Sequence, residues 1–310
     1  MVQSFHTPIL FIIFNRPDTT ARVFQQIRAI KPKQLFVAAD GPRLQKIGEK
    51  EMCEQTRAIL KQVDWGCDVK TRFSETNQGC KVGVSSAITW FFEQVEEGII
   101  LEDDCLPDVS FFSYCENLLE RYRNDERVMH IGGANFQNNV HRGSGSYYFS
   151  QLPHVWGWAT WKRAWSLYDV NMKLYPELLA SGKMQIMFPH NQLNQYWQYR
   201  FDLAYKNQID TWDIQWQYTL LVHHALSIIP NVNLISNIGF WENATHTKAQ
   251  FNVLANIPTR SLKEIVHPQE IILDPKADLY SFHKYFSPPK IIKLYYLLIN
   301  QFRQLLPVTH

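Results

Sequence analysis

The sequence predicts an α/β protein with a mainly parallel central sheet flanked by helices, and three observations carry that expectation. Short apolar runs alternate with stretches of helical periodicity through the first half of the chain. Several of the apolar runs end in tight polar clusters, where ligands bind in parallel sheets. The composition, 45% hydrophobic and 19% charged, is that of a chain with a packed core.

Residues 9–14 read as a buried strand, and 18–30 follow with Val23, Phe24, Ile27 and Ile30 at helical spacing. Residues 35–39 form a second strand, closed by the turn signal Asp40-Gly41-Pro42. A helix over 49–63, a short strand over 69–73 and a helix over 81–95 come next. The strand 99–101 runs into Glu102-Asp103-Asp104. Residues 108–122 place Phe111, Phe112, Cys115, Leu118, Leu119 and Tyr122 on one helical face behind Pro107-Asp108, and 128–131 read as a strand. Such alternation implies right-handed crossovers and a sheet covered on both faces.

The 310 residues accommodate one large domain with an extension. A domain over 1–265 is expected, then a proline-rich arm over 266–289 and an amphipathic helix over 290–310. That last helix puts Ile291, Leu294, Leu298 and Phe302 on one face and Lys290, Lys293, Arg303 on the other. It is either a docking helix of the fold or an interfacial helix on a membrane. The net charge of +2 without a Lys/Arg stripe excludes a dedicated nucleic-acid binder. Five cysteines without a C-x-x-C pair favour free thiols in a reducing compartment. No stretch approaches the ~20 apolar residues of a membrane span, so a cytoplasmic protein is expected, one that can rest on the inner face of the plasma membrane through 290–306. Aromatics reach 14%; most belong to the core, and some suit a site for flat ligands.

The densest chemical signal is Glu102-Asp103-Asp104 at the end of a buried strand. Three adjacent carboxylates need a counter-charge, and a hard divalent cation shared with substrate phosphates supplies one. Arg16, in Asn15-Arg16-Pro17 after the first strand, can take a diphosphate bidentately. Asp40 after the second strand can accept the imide N–H of uracil. Each feature alone reads better as turn chemistry; three polar endings on one sheet would be brought together by the fold and shift the balance. Asp213 precedes an apolar helical run and serves either as an N-cap or as a general base, with Asp210 as the alternative base. Trp156-Gly157-Trp158 offers a sugar platform, or packing beneath the site. Asn77-Gln78-Gly79-Cys80-Lys81 opens a helix whose backbone N–H groups, with Lys81, could meet donor phosphate.

With these motifs in order, Asn15-Arg16, Ala39-Asp40-Gly41, Leu101-Glu102-Asp103-Asp104 followed by Phe111-Phe112, Trp156-Gly157-Trp158 and Trp212-Asp213, the chain resembles the GT-A glycosyltransferases from about Pro8 to His246. Within that family it is similar to the Golgi N-acetylglucosaminyltransferases that act on a mannose arm of N-glycans, and to bacterial nucleotide-diphospho-sugar transferases. The resemblance implies a UDP-sugar donor, with Arg16 on its phosphates, Asp40 on uracil, and Glu102 and Asp103 holding the ribose. It implies Asp104 as the direct ligand of Mn²⁺ (or Mg²⁺), with His246 completing the metal site as a late His does in some members. It further implies inverting transfer with Asp213 as base, although Trp212-Asp213-Ile214-Gln215-Trp216 carries one acid where the family stretch has two. A glycan or lipid-linked glycan in surface polysaccharide assembly is the expected acceptor. The competing readings are a non-catalytic binder of carbohydrates or nucleotide sugars, which could dispense with the acids, and a sugar nucleotidyltransferase. The latter normally carries a glycine-rich basic loop where this chain has Phe14-Asn15-Arg16-Pro17.

Overall fold

A computed structural model of the chain describes residues 5–240 and 254–286. The first half alternates as its periodicity requires: β1 (Ile9–Ile13), α1 (Pro17–Ile30), β2 (Gln34–Ala39), α2 (Glu49–Ala58), β3 (Asp68–Phe73), α3 (Gly79–Phe92) and β4 (Glu97–Glu102). Helix α2 is shorter than its apolar pattern suggests and tightens into a 3₁₀ turn over Ile59–Gln62. β5 (Cys105–Pro107), α4 (Ser110–Arg121) and β6 (Val128–Gly132) follow. Helix α4 starts just after Asp108, whose Oδ1 accepts from the Ser110 amide and hydroxyl at 2.9 and 2.6 Å.

The second half contributes β7 (Tyr147–Ser150), β8 (Trp158–Trp161), α5 (Lys162–Trp165), α6 (Tyr175–Ala180), α7 (Asn191–Tyr205), α8 (Asp213–Val222), β9 (Leu226–Pro230), β10 (Ile235–Asn237) and α9 (Pro275–Ser281). Among the described residues eight strands form the central sheet, in the order β3-β2-β1-β4-β8-β6-β9-β7. β3, β2, β1, β4, β6 and β9 share one direction, while β8 and the edge strand β7 oppose it. The α/β class and mainly parallel sheet expected from the sequence are therefore what the chain forms.

Alternation along the strands explains why both faces are covered. Ile9, Phe11 and Ile13 of β1, with Leu35 and Val37 of β2 and Ile99 and Leu101 of β4, point to the side of α1 and α4. Leu10, Phe36 and Ile100 point to the opposite side, against Ile88 and Phe91 of α3 and a cluster of Trp158, Trp165, Trp212 and Trp216. Successive side chains of a strand face opposite ways, so continuous apolar runs require a partner on each face. β5 and β10 pair antiparallel across the end of β4, and the Ile238 amide donates to the Asp104 carbonyl at 2.8 Å. This small ribbon fixes the chain that leaves the acidic triplet.

Residues 262–281 are held to the rest of the domain. The Leu262 amide donates to Ser110 Oγ, Phe149 bridges Leu273, and Gln137 Nε2 donates to the Ala277 carbonyl and Ser281 Oγ. Asp274 caps α9 by accepting from the Ala277 amide at 2.9 Å, with Pro275 in the first turn. The amphipathic segment 290–306 and His246 lie outside the described residues. Among the described residues no helix is long and apolar enough to cross a membrane.

Asp278 of α9 is buried beneath this contact and accepts from Ser150 Oγ and the Gln151 amide. Burial pushes its carboxyl up to about 7 from an ordinary 3.8, with those hydrogen bonds opposing. A folded value above the unfolded one means that folding takes up a proton. The stability contribution is therefore complete below about pH 4 and is lost as pH rises through about 7. Asp278→Asn is expected to remove this slope: denaturant midpoints of wild type and variant should converge or cross between pH 4 and 7. Parallel curves over that range would contradict it.

Candidate active site

A cavity of about 520 Å³ opens at the carboxyl ends of β1, β2 and β4, bounded by the starts of α3 and α8. Arg16, Asp40, Glu102, Asp103, Asp104, Trp156, Asp210 and Asp213 all line it, so the fold brings together residues spread over most of the chain. Among the described residues expected at the site, Lys81 and Trp158 do not line it.

β4 delivers the acids. Glu102 is its last residue, and the chain then turns through Asp103 and Asp104 into β5. Asp103 Oδ2 accepts from the Phe14 amide at 3.0 Å, stitching this turn to the end of β1. Arg16, placed by Pro17 at the start of α1, sets Nη1 at 2.7 Å from Asp104 Oδ2 and 3.4 Å from Asp103 Oδ1. Burial raises the Glu102 carboxyl, and the charges of Asp104, Asp103 and Asp213 add to the shift while Arg16 opposes it. Burial also raises Asp103, against Arg16. Burial acts to lower Arg16, but Asp103 and Asp104 outweigh it and hold the guanidinium charged. The sequence expectation of a counter-charge is thus met in part from within, by one cation for three carboxylates.

Gly239 closes over this pair. A Cβ there would stand 2.2 Å from Asp104 Oδ2 and 2.8 Å from Arg16 Nη1, so only glycine allows the approach. Nothing in the local sequence marks Gly239, because its role depends on the β5–β10 pairing.

Asp40 is already engaged. It accepts from the Gly41 amide, Asn77 Nδ2 and the Gln78 amide at 2.8–2.9 Å. A carboxylate offers about four acceptor positions, and with the Gln78 N–H shared between both oxygens and the Gly79 N–H also directed at it, they are filled from within the chain. Burial raises its carboxyl, with the backbone N–H groups of Gln78, Gly41 and Gly79 opposing.

The start of α3 requires a correction. The Cys80 and Lys81 amides both donate to the Asp210 carboxylate at 2.9 Å, and Lys81 Nζ donates to Asn207 Oδ1 at 2.8 Å. The helix N-terminus expected to meet donor phosphate is satisfied by Asp210 instead, and the Lys81 side chain is turned to the α7–α8 connection. Asp210, considered as an alternative base, is this cap. Cys80 lines the cavity, but burial and the charges of Glu102, Asp213 and Asp210 raise its thiol, which disfavours the reactive thiolate.

Asp213 opens α8 without acting as its cap; Trp212 holds the N-cap position. Its Oδ1 accepts from the Thr211 hydroxyl and, at 3.0 Å, from the Ile214 amide. Oδ2 has no hydrogen bond among the described residues. Thr211 was not singled out in the sequence; a hydroxyl two residues before a carboxylate is the local signal that points to it.

Trp156 and Trp158 separate. Trp156 is half-buried on the cavity wall, edge-on to Phe240 at 5.6 Å and to Phe136 at 5.4 Å. Trp158 is fully buried, stacked on His130 at 5.0 Å and Trp212 at 5.5 Å. The platform reading of Trp158 is replaced by core packing. Gly157 explains the split: at φ +58 it turns the chain just before β8, and a Cβ there would meet Ile235 Cδ1 at 2.4 Å.

Among the described residues no group of three or more His, Cys, Asp or Glu forms a ready-made metal cage. Among the described residues, Arg16 is the cation at this triplet, and Asp103 and Asp104 together exceed its charge on oxygen donors facing the cavity. That donor set suits a hard cation held by one or two carboxylates together with substrate phosphates and water.

No family model matches this sequence, and no curated protein matches it. Solved structures with partial similarity include UDP-glucose pyrophosphorylase complexed with UDP-glucose, at 8% identity and TM-score 0.38 over 72% of this chain and 90% of that one. Mouse xyloside xylosyltransferase 1 in its apo form gives 12% identity and TM-score 0.33 over 70% and 81%. A cytidylyltransferase from Leptospira borgpetersenii gives 12% and 0.33 over 53% of this chain, which spans 63% of that protein's length.

Proposed function

We propose that the chain is a metal-dependent glycosyltransferase of the GT-A class, moving a sugar from a UDP-sugar donor to a glycan or lipid-linked glycan hydroxyl with inversion. N-acetylglucosamine is the first donor sugar to test. The observation that carries this reading is the convergence of Arg16, the Glu102–Asp104 triplet and a separately positioned carboxylate, Asp213, on one cavity at the carboxyl end of the sheet.

The roles divide by position. Arg16 faces the donor diphosphate, its guanidinium oriented by Asp103 and Asp104. Asp40 meets the imide of the base by exchanging one of its internal donors for it, and Glu102 and Asp103 border the ribose. Mn²⁺ or Mg²⁺ held by Asp104 would supply Lewis-acid support for the leaving diphosphate. Asp213 takes the proton of the attacking hydroxyl on Oδ2, while Thr211 and the Ile214 amide fix Oδ1 and hence the direction of the carboxylate. Trp156 presents an aromatic face on which a sugar ring can rest.

A sugar nucleotidyltransferase is disfavoured by the β1–α1 connection. Ile13 ends the strand and Pro17 already begins the helix, so there is no room for a glycine-rich phosphate loop. A purely binding protein would use the open Asp213 oxygen to accept from a sugar hydroxyl without turnover, so transfer itself separates the two readings.

Transfer from a panel of UDP-sugars to simple glycoside acceptors, with the product's anomeric configuration read by NMR, tests the proposal. Inversion is expected. Retention would remove Asp213 as a single-displacement base.

A further inference from the structure

The connection from β2 to α2 carries two large aliphatic side chains with almost no cover: Leu44 is 88% exposed and Ile47 106%. Met52, in the first turn of α2, adds a third at 39%. Single exposed apolar residues are common; here they concentrate on one tip whose base is rigid. Arg43 donates from Nε and its own amide to Glu49 at 2.7–3.1 Å, and Asn15 Nδ2 donates to the same carboxylate at 3.0 Å. Glu49 is itself only 6% exposed, so this ion pair ties the loop to the β1–α1 connection. Arg43 also lines the cavity, which puts the tip at the rim of the site.

The tip carries a net positive charge. From Pro42 to Met52 the exposed charges are Lys46, Lys50 and Glu51, while Glu49 is buried against Arg43. Two or three aliphatic chains flanked by two lysines fall short of a protein interface, which needs ~800 Å² per partner and is enriched in aromatic and Arg anchors. They match the requirements of a lipid surface, where aliphatic side chains enter the acyl boundary and lysines meet anionic headgroups.

We propose that the tip inserts Leu44 and Ile47 into an anionic lipid surface, with Lys46 and Lys50 on the headgroups, and so holds the cavity's rim at the membrane. This contact uses neither the C-terminal segment nor the catalytic groups, and it stands whether or not the transferase reading does. Within that reading, it would bring the site to a lipid-linked acceptor.

Flotation of the full chain with phosphatidylcholine vesicles, with and without phosphatidylglycerol, tests the proposal. Wild type is expected to partition into the anionic vesicles. Leu44→Ser/Ile47→Ser should lower that partition roughly fivefold or more, from the transfer of two aliphatic chains. Lys46→Gln/Lys50→Gln should lower it about tenfold or more, on anionic vesicles alone. Unchanged thermal melts would show that both double variants fold as wild type does. No partition of wild type, equal partition of neutral and anionic vesicles, or a Leu44→Ser/Ile47→Ser variant that floats as wild type does would overturn the proposal. So would dissociation of a dimer by that variant without any vesicle binding, which would assign the tip to a second copy of the chain.

Discussion

Asp213→Asn is expected to lower kcat by about 10²–10⁴-fold, the usual contribution of a general base, with donor affinity nearly unchanged. The amide keeps the size of the side chain, and its oxygen can still accept from Thr211 and the Ile214 amide, so α8 starts as before. What disappears is an oxygen able to take a proton. The split between kcat and donor binding is the diagnostic feature, because a merely structural Asp213 would change both or neither. Full turnover by the variant would move the base elsewhere. Asp210 is a poor substitute, since both its oxygens are committed to the amides at the start of α3.

Trp158→Ala should cost about 3–5 kcal/mol of folding stability, as truncation of a large buried aromatic does. Trp158 lies at the centre of a ring cluster, 5.5 Å from Trp212, 5.6 Å from Trp216 and 5.0 Å from His130. His130 is kept neutral there: burial lowers it to about 3, and its Nδ1 accepts from Trp216 Nε1. The indole N–H of Trp158 has no acceptor among the described residues, so Trp158→Phe should cost much less than Trp158→Ala, removing an unsatisfied donor while keeping a ring. Denaturant melts of the two variants read the difference directly. A stable Trp158→Ala protein with weakened sugar binding would restore the platform role that burial argues against.

The parts of this molecule that were legible in the sequence depend on local periodicity. Ile9 to Ile13, Leu35 to Ala39 and Ile99 to Leu101 are apolar on both parities, and that pattern belongs to strands covered on two faces. Because such strands end on one side of a sheet, the sequence alone places Arg16, Asp40 and the Glu102–Asp104 turn near each other. The parts the sequence does not show depend on contacts made far along the chain. The Asp210 carboxylate reaches amides some 130 residues earlier in the sequence, and no local pattern announces that cap, so Lys81 and its helix start looked open to a ligand. Trp156 and Trp158 share strand parity and looked like one surface; the positive φ of Gly157 puts one at the cavity and the other in the core. The antiparallel course of β8 was hidden for the same reason, since its four residues Trp158–Trp161 are buried on both faces and carry no alternation.

The most direct test of the central claim is calorimetric titration of the protein with UDP, with and without Mn²⁺, on wild type and Asp104→Ala. The account predicts UDP binding that strengthens with Mn²⁺ in wild type and loses that dependence in Asp104→Ala, with both proteins melting alike in the absence of ligand. Failure of wild type to bind UDP under either condition, or metal-dependent binding that survives Asp104→Ala, would contradict the assignment of this cavity as a metal-assisted nucleotide-sugar site.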